Sequence, residues 1–81
     1  MENGTKLYTL IVHSENMVGL LSQVTAAFTR RQVNIESLNV SASSIEGVHR
    51  YTITAYSDKD TIDKIASQIE KKVDVLQCKY F

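Results

Sequence analysis

Apolar and polar positions along the chain change their spacing several times, and each change predicts a new element. From Lys6 to Ser14 (KLYTLIVHS) Leu, Ile, Val, Tyr and Thr crowd together, which reads as a strand apolar on both faces and lying in the middle of a sheet. From Gly19 to about Arg31 the spacing turns helical, with Leu20, Leu21, Val24, Ala27 and Phe28 on one side. Ser22, Gln23, Thr25, Ala26, Thr29 and Arg30 are left outside, and Arg30 and Arg31 fall in the last turn, where the helix dipole favours positive charge. Val33 to Ala42 (VNIESLNVSA) alternates less cleanly: Val33, Ile35 and Ser37 share one face, and Asn34, Glu36 and Leu38 the other. A strand this polar belongs at an edge.

After a turn at Ser43 to Gly47, Val48 to Tyr56 (VHRYTITAY) returns with strong β propensity. Asp58 is placed to cap a second helix, in which Ile62, Ile65, Ala66 and Ile69 follow the i, i+3, i+4, i+7 pattern. Asp60 and Lys64 are spaced for an i,i+4 pair. Val73 to Phe81 (VDVLQCKYF) closes as a fourth strand. The order is β-α-β-β-α-β. Right-handed crossovers place both helices on one face of a four-stranded antiparallel sheet, which is an α+β, ferredoxin-like βαββαβ sandwich whose other sheet face is uncovered.

Residues 1–81 are read as a single domain. A chain this short buries only about 60% of its unfolded surface, so association with a second copy would stabilise it. Nine Lys and Arg balance nine Asp and Glu, leaving no global field to attract nucleic acid or an anionic membrane. The lone Cys78 has no internal disulfide partner, no apolar stretch is long enough to span a bilayer, and Met1 is followed by polar residues rather than a leader. These features fit a cytoplasmic protein without a membrane or nucleic-acid partner.

The fold hosts enzymes, metal carriers, RNA readers and ligand sensors, so function has to be read from sites. Metal carriage would need a cysteine pair in the first loop, and phosphate-ester hydrolysis an arginine there; Ser14 to Gly19 holds neither. RNA recognition would recruit Tyr8, Tyr51 and Tyr56, but the neutral charge opposes it. No nucleophile–base or paired-carboxylate constellation can be assembled, and His13 and His49 read as ordinary strand-end residues.

The first loop and the start of the third element are more informative. Gly19 at the helix start has two readings. Either the helix packs closely there on neighbouring backbone, or the missing Cβ lets a ligand carboxylate reach the free N–H groups of the first turn. Asn16 is either a turn residue bonded to local backbone or a ligand contact able to accept from an ammonium and donate to a carboxylate. Asn34 opens a strand, where asparagine is disfavoured, and that inconsistency points to a specific role.

Asn16-Met17-Val18-Gly19-Leu20-Leu21 resembles the loop of ACT domains: Asp or Asn, any residue, Pro or a small residue, Gly, then two apolar positions. The string RRQVNIESLNV resembles the small regulatory subunit of acetohydroxyacid synthase (acetolactate synthase), whose pattern there runs near R-R-G-Y-N-I-E-S-L, and KKVDVL from Lys71 to Leu76 is similar to it as well. The resemblance runs from about Leu7 to Leu76.

It implies a non-catalytic domain that binds valine or another branched-chain amino acid as a feedback effector. The counterpart of Asn16 contacts the effector's charged end, Gly19 presents backbone at the helix start, and Asn34 reaches the same ligand from across a homodimer formed through the sheet edge. Val18, Leu20 and Ile35 are the expected apolar contacts. No cofactor is expected on this chain; thiamine diphosphate, Mg²⁺ and FAD belong to the large catalytic subunit that would be its partner. Gln32 stands where the family has Gly, at a steric cost of roughly 1 kcal/mol if the position is left-handed. Val18 replaces the common Pro or Ser, and the family's C-terminal domain is expected to be absent from residues 1–81. An ACT sensor of another enzyme, or a plain interaction domain, are the alternatives.

Overall fold

The computed structural model describes residues 5–15 and 18–81. The elements follow the expected order: β1 (Lys6–Ser14), α1 (Leu20–Arg30), β2 (Ile35–Ala42), β3 (His49–Ser57), α2 (Lys59–Glu70) and β4 (Val75–Tyr80). One antiparallel sheet runs β2-β3-β1-β4, so the doubly apolar β1 is internal and the polar β2 lies at an edge. Tyr8, Leu10, Val12, Tyr51, Ile53 and Ala55 face the helices. They meet Leu20, Val24, Ala27 and Phe28 of α1 and Ile62, Ile65, Ala66 and Ile69 of α2 in one core. This is the ferredoxin-like βαββαβ sandwich.

The uneven alternation of β2 has a local cause. Ile35 stands opposite Ala55 while Ser37 stands opposite Thr54, so Glu36 is an extra, bulged residue. Past the bulge the alternation inverts: Leu38 lies opposite Ile53 and Val40 opposite Tyr51, both toward the helices. Simple counting had put Leu38 on the face away from Ile35; the bulge brings both to the same face. Ser37 is then on the open face, hydrogen-bonded through its hydroxyl to Thr54.

Asp58 caps α2, accepting from the Thr61 amide at 3.0 Å and from its hydroxyl at 2.8 Å. Lys59–Asp63 at 3.0 Å and Lys64–Asp60 at 3.4 Å are i,i+4 pairs along the same helix. The Tyr80 hydroxyl donates to Asp63 and ties α2 to β4, while the Tyr80 ring meets Tyr8 edge-on with centroids 5.8 Å apart. Two turns use backbone that side chains avoid: Gly47 at φ 83° in the β2–β3 hairpin, and Gln32 at φ 58° after α1.

Candidate functional site

The two helices begin differently. Where α2 has its aspartate cap, α1 starts from Gly19 with no side-chain cap bond and no acidic residue in its first turn. The first-turn N–H groups of α1 therefore have no intrahelical acceptor and, among the described residues, no capping side chain, at the positive end of the helix dipole. Gly19 has φ 83°, a conformation that favours glycine, and a Cβ built there would meet nothing within 4 Å. Among the described residues, close packing is thus not the reason for glycine at this position; the backbone torsion is.

Beside this helix start lies an apolar groove of about 650 Å³, lined by Val18, Gly19, Leu21, Ser22, Thr25, Leu38 and Val40. It runs between α1 and the inward side of β2, at the edge of the sheet. Leu21 and Leu38 are 37% and 39% exposed, large apolar side chains left partly uncovered because β2 has a neighbour on one side only.

Of the residues expected to contact a ligand, Val18 and Gly19 line this groove. Leu20 is 3% exposed and packs into the core, so Leu21 is the leucine that faces the groove. Ile35 is half-buried against the core. Asn16 lies outside the described residues. Asn34 is exposed at the opposite end of β2, in a separate groove of about 360 Å³ shared with Arg31, Glu36, Tyr56 and Thr61. Within one chain Gly19 and Asn34 are not neighbours: the Ala42 end of β2 lies toward the end of β1 that leads into the Gly19 loop, and the Ile35 end lies away from it.

Sequence reasoning missed Leu21, Leu38 and Val40 as groove residues. The helical period placed Leu21 in the core, and the bulge at Glu36 concealed the facing of Leu38.

Other reactive groups are turned to structural use. Burial, with a smaller contribution from the Glu70 charge, pushes the Cys78 thiol up to about 12, so the thiolate is not populated at neutral pH. Among the described residues no group of three or more His, Cys, Asp and Glu is placed to hold a metal ion, and no helix is long and apolar enough to cross a membrane. Tyr8 and Tyr51 are buried against the helices, which leaves Tyr56 as the exposed one of the three and no pair of these strand tyrosines for stacking on RNA bases.

A four-stranded sheet of this order with two helices on one face and a glycine-opened helix start is the architecture of an ACT domain, and comparison with known proteins narrows the class. Residues 10–77 match the family model described as the AHAS small subunit-like ACT domain, and the chain belongs to that family. It is 35% identical over 77 residues to the acetolactate synthase small subunit of Mycolicibacterium smegmatis, covering 95% of this chain and 45% of that protein. It is 36% identical over 77 residues to a probable acetolactate synthase small subunit of Methanothermobacter thermautotrophicus, with the same coverages of 95% and 45%. The crystal structure of the acetolactate synthase small subunit from Thermotoga maritima superposes with a TM-score of 0.80 at 29% identity, over 93% of this chain and 47% of that one. The chain thus spans a little under half the length of these three relatives.

Proposed function

We propose that this chain is a regulatory module of an acetolactate synthase, binding valine or another branched-chain amino acid at the seam between two copies of itself. The observation that carries the reading is the pairing of an uncapped, glycine-opened helix start with the apolar groove of Val18, Leu21, Leu38 and Val40. A free amino acid has one group for each part. Its carboxylate accepts from the first-turn N–H groups of α1, and a branched side chain fills the groove.

The edge position of β2 supports the seam. Antiparallel pairing of β2 with β2 of a second copy gives an eight-stranded sheet, and it sets the Ile35 end of one strand against the Ala42 end of the other. The partner's Asn34 then approaches the Gly19 loop, which its own Asn34 does not. Asn34 would hold the ligand's charged end from across the interface, with Asn16 doing so from the loop. Ile35, packed inward at the same strand end, would set the backbone from which Asn34 projects.

Catalysis would belong to a large subunit carrying thiamine diphosphate, Mg²⁺ and FAD. This chain would contribute no reacting group. The effector would act only as far as it binds two arrangements of the paired domains unequally, with coupling of about 1–3 kcal/mol.

A thermal-shift screen against free amino acids tests the reading. A ligand present at about 100 times its Kd adds ~2.7 kcal/mol, which in a domain of this size raises Tm by on the order of ten degrees. The rise is expected with valine, leucine or isoleucine. A rise confined to serine, threonine or an aromatic amino acid would transfer the domain to another enzyme, and no rise with any amino acid would leave a docking module without an effector.

A further inference from the structure

The face of the sheet away from the helices is uncovered, and its side chains are sorted. Strand register places Arg50, His13 and Gln77 in one row across β3, β1 and β4, with Thr52, Ile11 and Lys79 in the next. The following row holds Thr54, Thr9 and Phe81, the last two joined through reciprocal backbone bonds at 3.0 and 2.8 Å. Beyond it Leu7 stands opposite Tyr56. One end of the face therefore carries Arg50 and Lys79, both exposed, roughly 12 Å apart by strand spacing and rise. The other end carries Leu7, Tyr56 and Phe81, exposed by 48%, 55% and 69%.

At its Arg50 and Lys79 end this face carries no described acidic side chain. The bulged Glu36 lines a groove with Tyr56 and Asp58 at the other end, and the remaining described acidic side chains fall in the connections and on α2 and its cap. In a chain of formally zero net charge, two of the nine Lys and Arg thus stand at one end of the open face. Among the described residues Arg50 and Lys79 make no ion pair, whereas Lys59 and Lys64 are paired along α2.

Three occupants can be weighed. Stacking on a second copy would set the cationic ends together or offer Arg50 and Lys79 a single acidic side chain, Glu36, from the far end of the face. Nucleic acid would want aromatics on the central strands, and Tyr8 and Tyr51 point to the helices. An acidic protein surface fits both ends, since aromatic anchors and arginine are the side chains enriched in interface cores.

We propose that the open sheet face, through Arg50 and Lys79 at one end and Tyr56 and Phe81 at the other, docks a carboxylate-bearing protein surface, and that the catalytic large subunit presents it. The identity of the partner rests on the function proposed above; the face and its charge preference do not. In the edge-paired dimer both open faces lie on the same side, so the cationic surface is doubled toward one partner.

The test measures Kd between this chain and the large subunit of the same organism, at low and at physiological salt. Arg50→Glu with Lys79→Glu is expected to weaken binding at least roughly tenfold and to flatten its salt dependence, while leaving the valine-induced thermal shift intact. Tyr56→Ser is expected to weaken binding without changing its salt dependence. Lys64→Glu with Lys71→Glu, an equal charge change on α2 and its C-cap, is expected to leave it unchanged. Unaltered binding by the Arg50/Lys79 variant, or equal losses from both charge changes, would overturn the docking face while the regulatory reading stood. Failure of the unsubstituted chain to bind the large subunit would overturn both. Binding of a single-stranded RNA oligonucleotide that disappears with Arg50 and Lys79 would give the face to nucleic acid instead.

Discussion

Gln32 shows how much one side chain can be asked to tolerate. Its φ of 58° is left-handed, its amide is held by the Thr29 carbonyl at 2.9 Å, and the following Val33 amide bonds back to Phe28 at 3.0 Å. The turn after α1 is therefore kept despite a residue with a Cβ, at a position where the sequence pattern of the family has glycine. Gln32→Gly is expected to stabilise the fold by about 1 kcal/mol, which chemical denaturation would register as a higher midpoint at unchanged slope. Tyr51 is a second such residue. Its side chain is fully buried and its hydroxyl has no hydrogen-bond partner among the described residues, so the group is desolvated without compensation from them. Tyr51→Phe keeps the packing and removes the unpaired oxygen. Its expected effect is a gain of up to about 1–3 kcal/mol by the same measurement, and a loss instead would mean that a water or ligand occupies the position.

Among the elements, α2 is held at its start by Asp58, whose hydrogen bonds from the Thr61 hydroxyl and amide hold its carboxyl below the ordinary carboxylate value. A depressed folded-state value stabilises the protein above the unfolded-state value, and that contribution is lost as pH falls through the folded one. Asp58→Ala is thus expected to lower Tm at neutral pH and to differ less from the parent as the solution is acidified through and below the usual aspartate range, read by thermal scans across pH. That cap was legible in the sequence, as were the central place of β1 and the edge place of β2, because each follows from local chemistry or a clear period. The facing of Leu38 and Val40 was not. It depends on the single extra residue at Glu36, and a bulge is a property of the pairing with β3 rather than of β2 alone. The groove was hidden for the same reason, since Leu21 reads as a core position until the edge of the sheet is seen to leave it uncovered.

At the scale of the whole molecule, the separation of Gly19 from Asn34 decides how a ligand site can be built. Residues at opposite ends of β2 can serve one ligand only if they come from different copies, so each seam would take its helix start from one chain and its asparagine from the other. Asn34→Ala and Gly19→Ala should then each abolish the valine-induced thermal shift when present alone. The first should spare stability, and the second should cost about 1–2 kcal/mol through its positive φ. Mixed and reassociated, the two variants should regain binding, because a dimer of one with the other has one seam in which both contributing residues are native. Random pairing gives roughly a quarter of all seams in that state, which titration calorimetry would read as a stoichiometry near one quarter of the parent's at similar Kd. A site assembled within a single chain would be broken in every copy, and mixing would restore nothing.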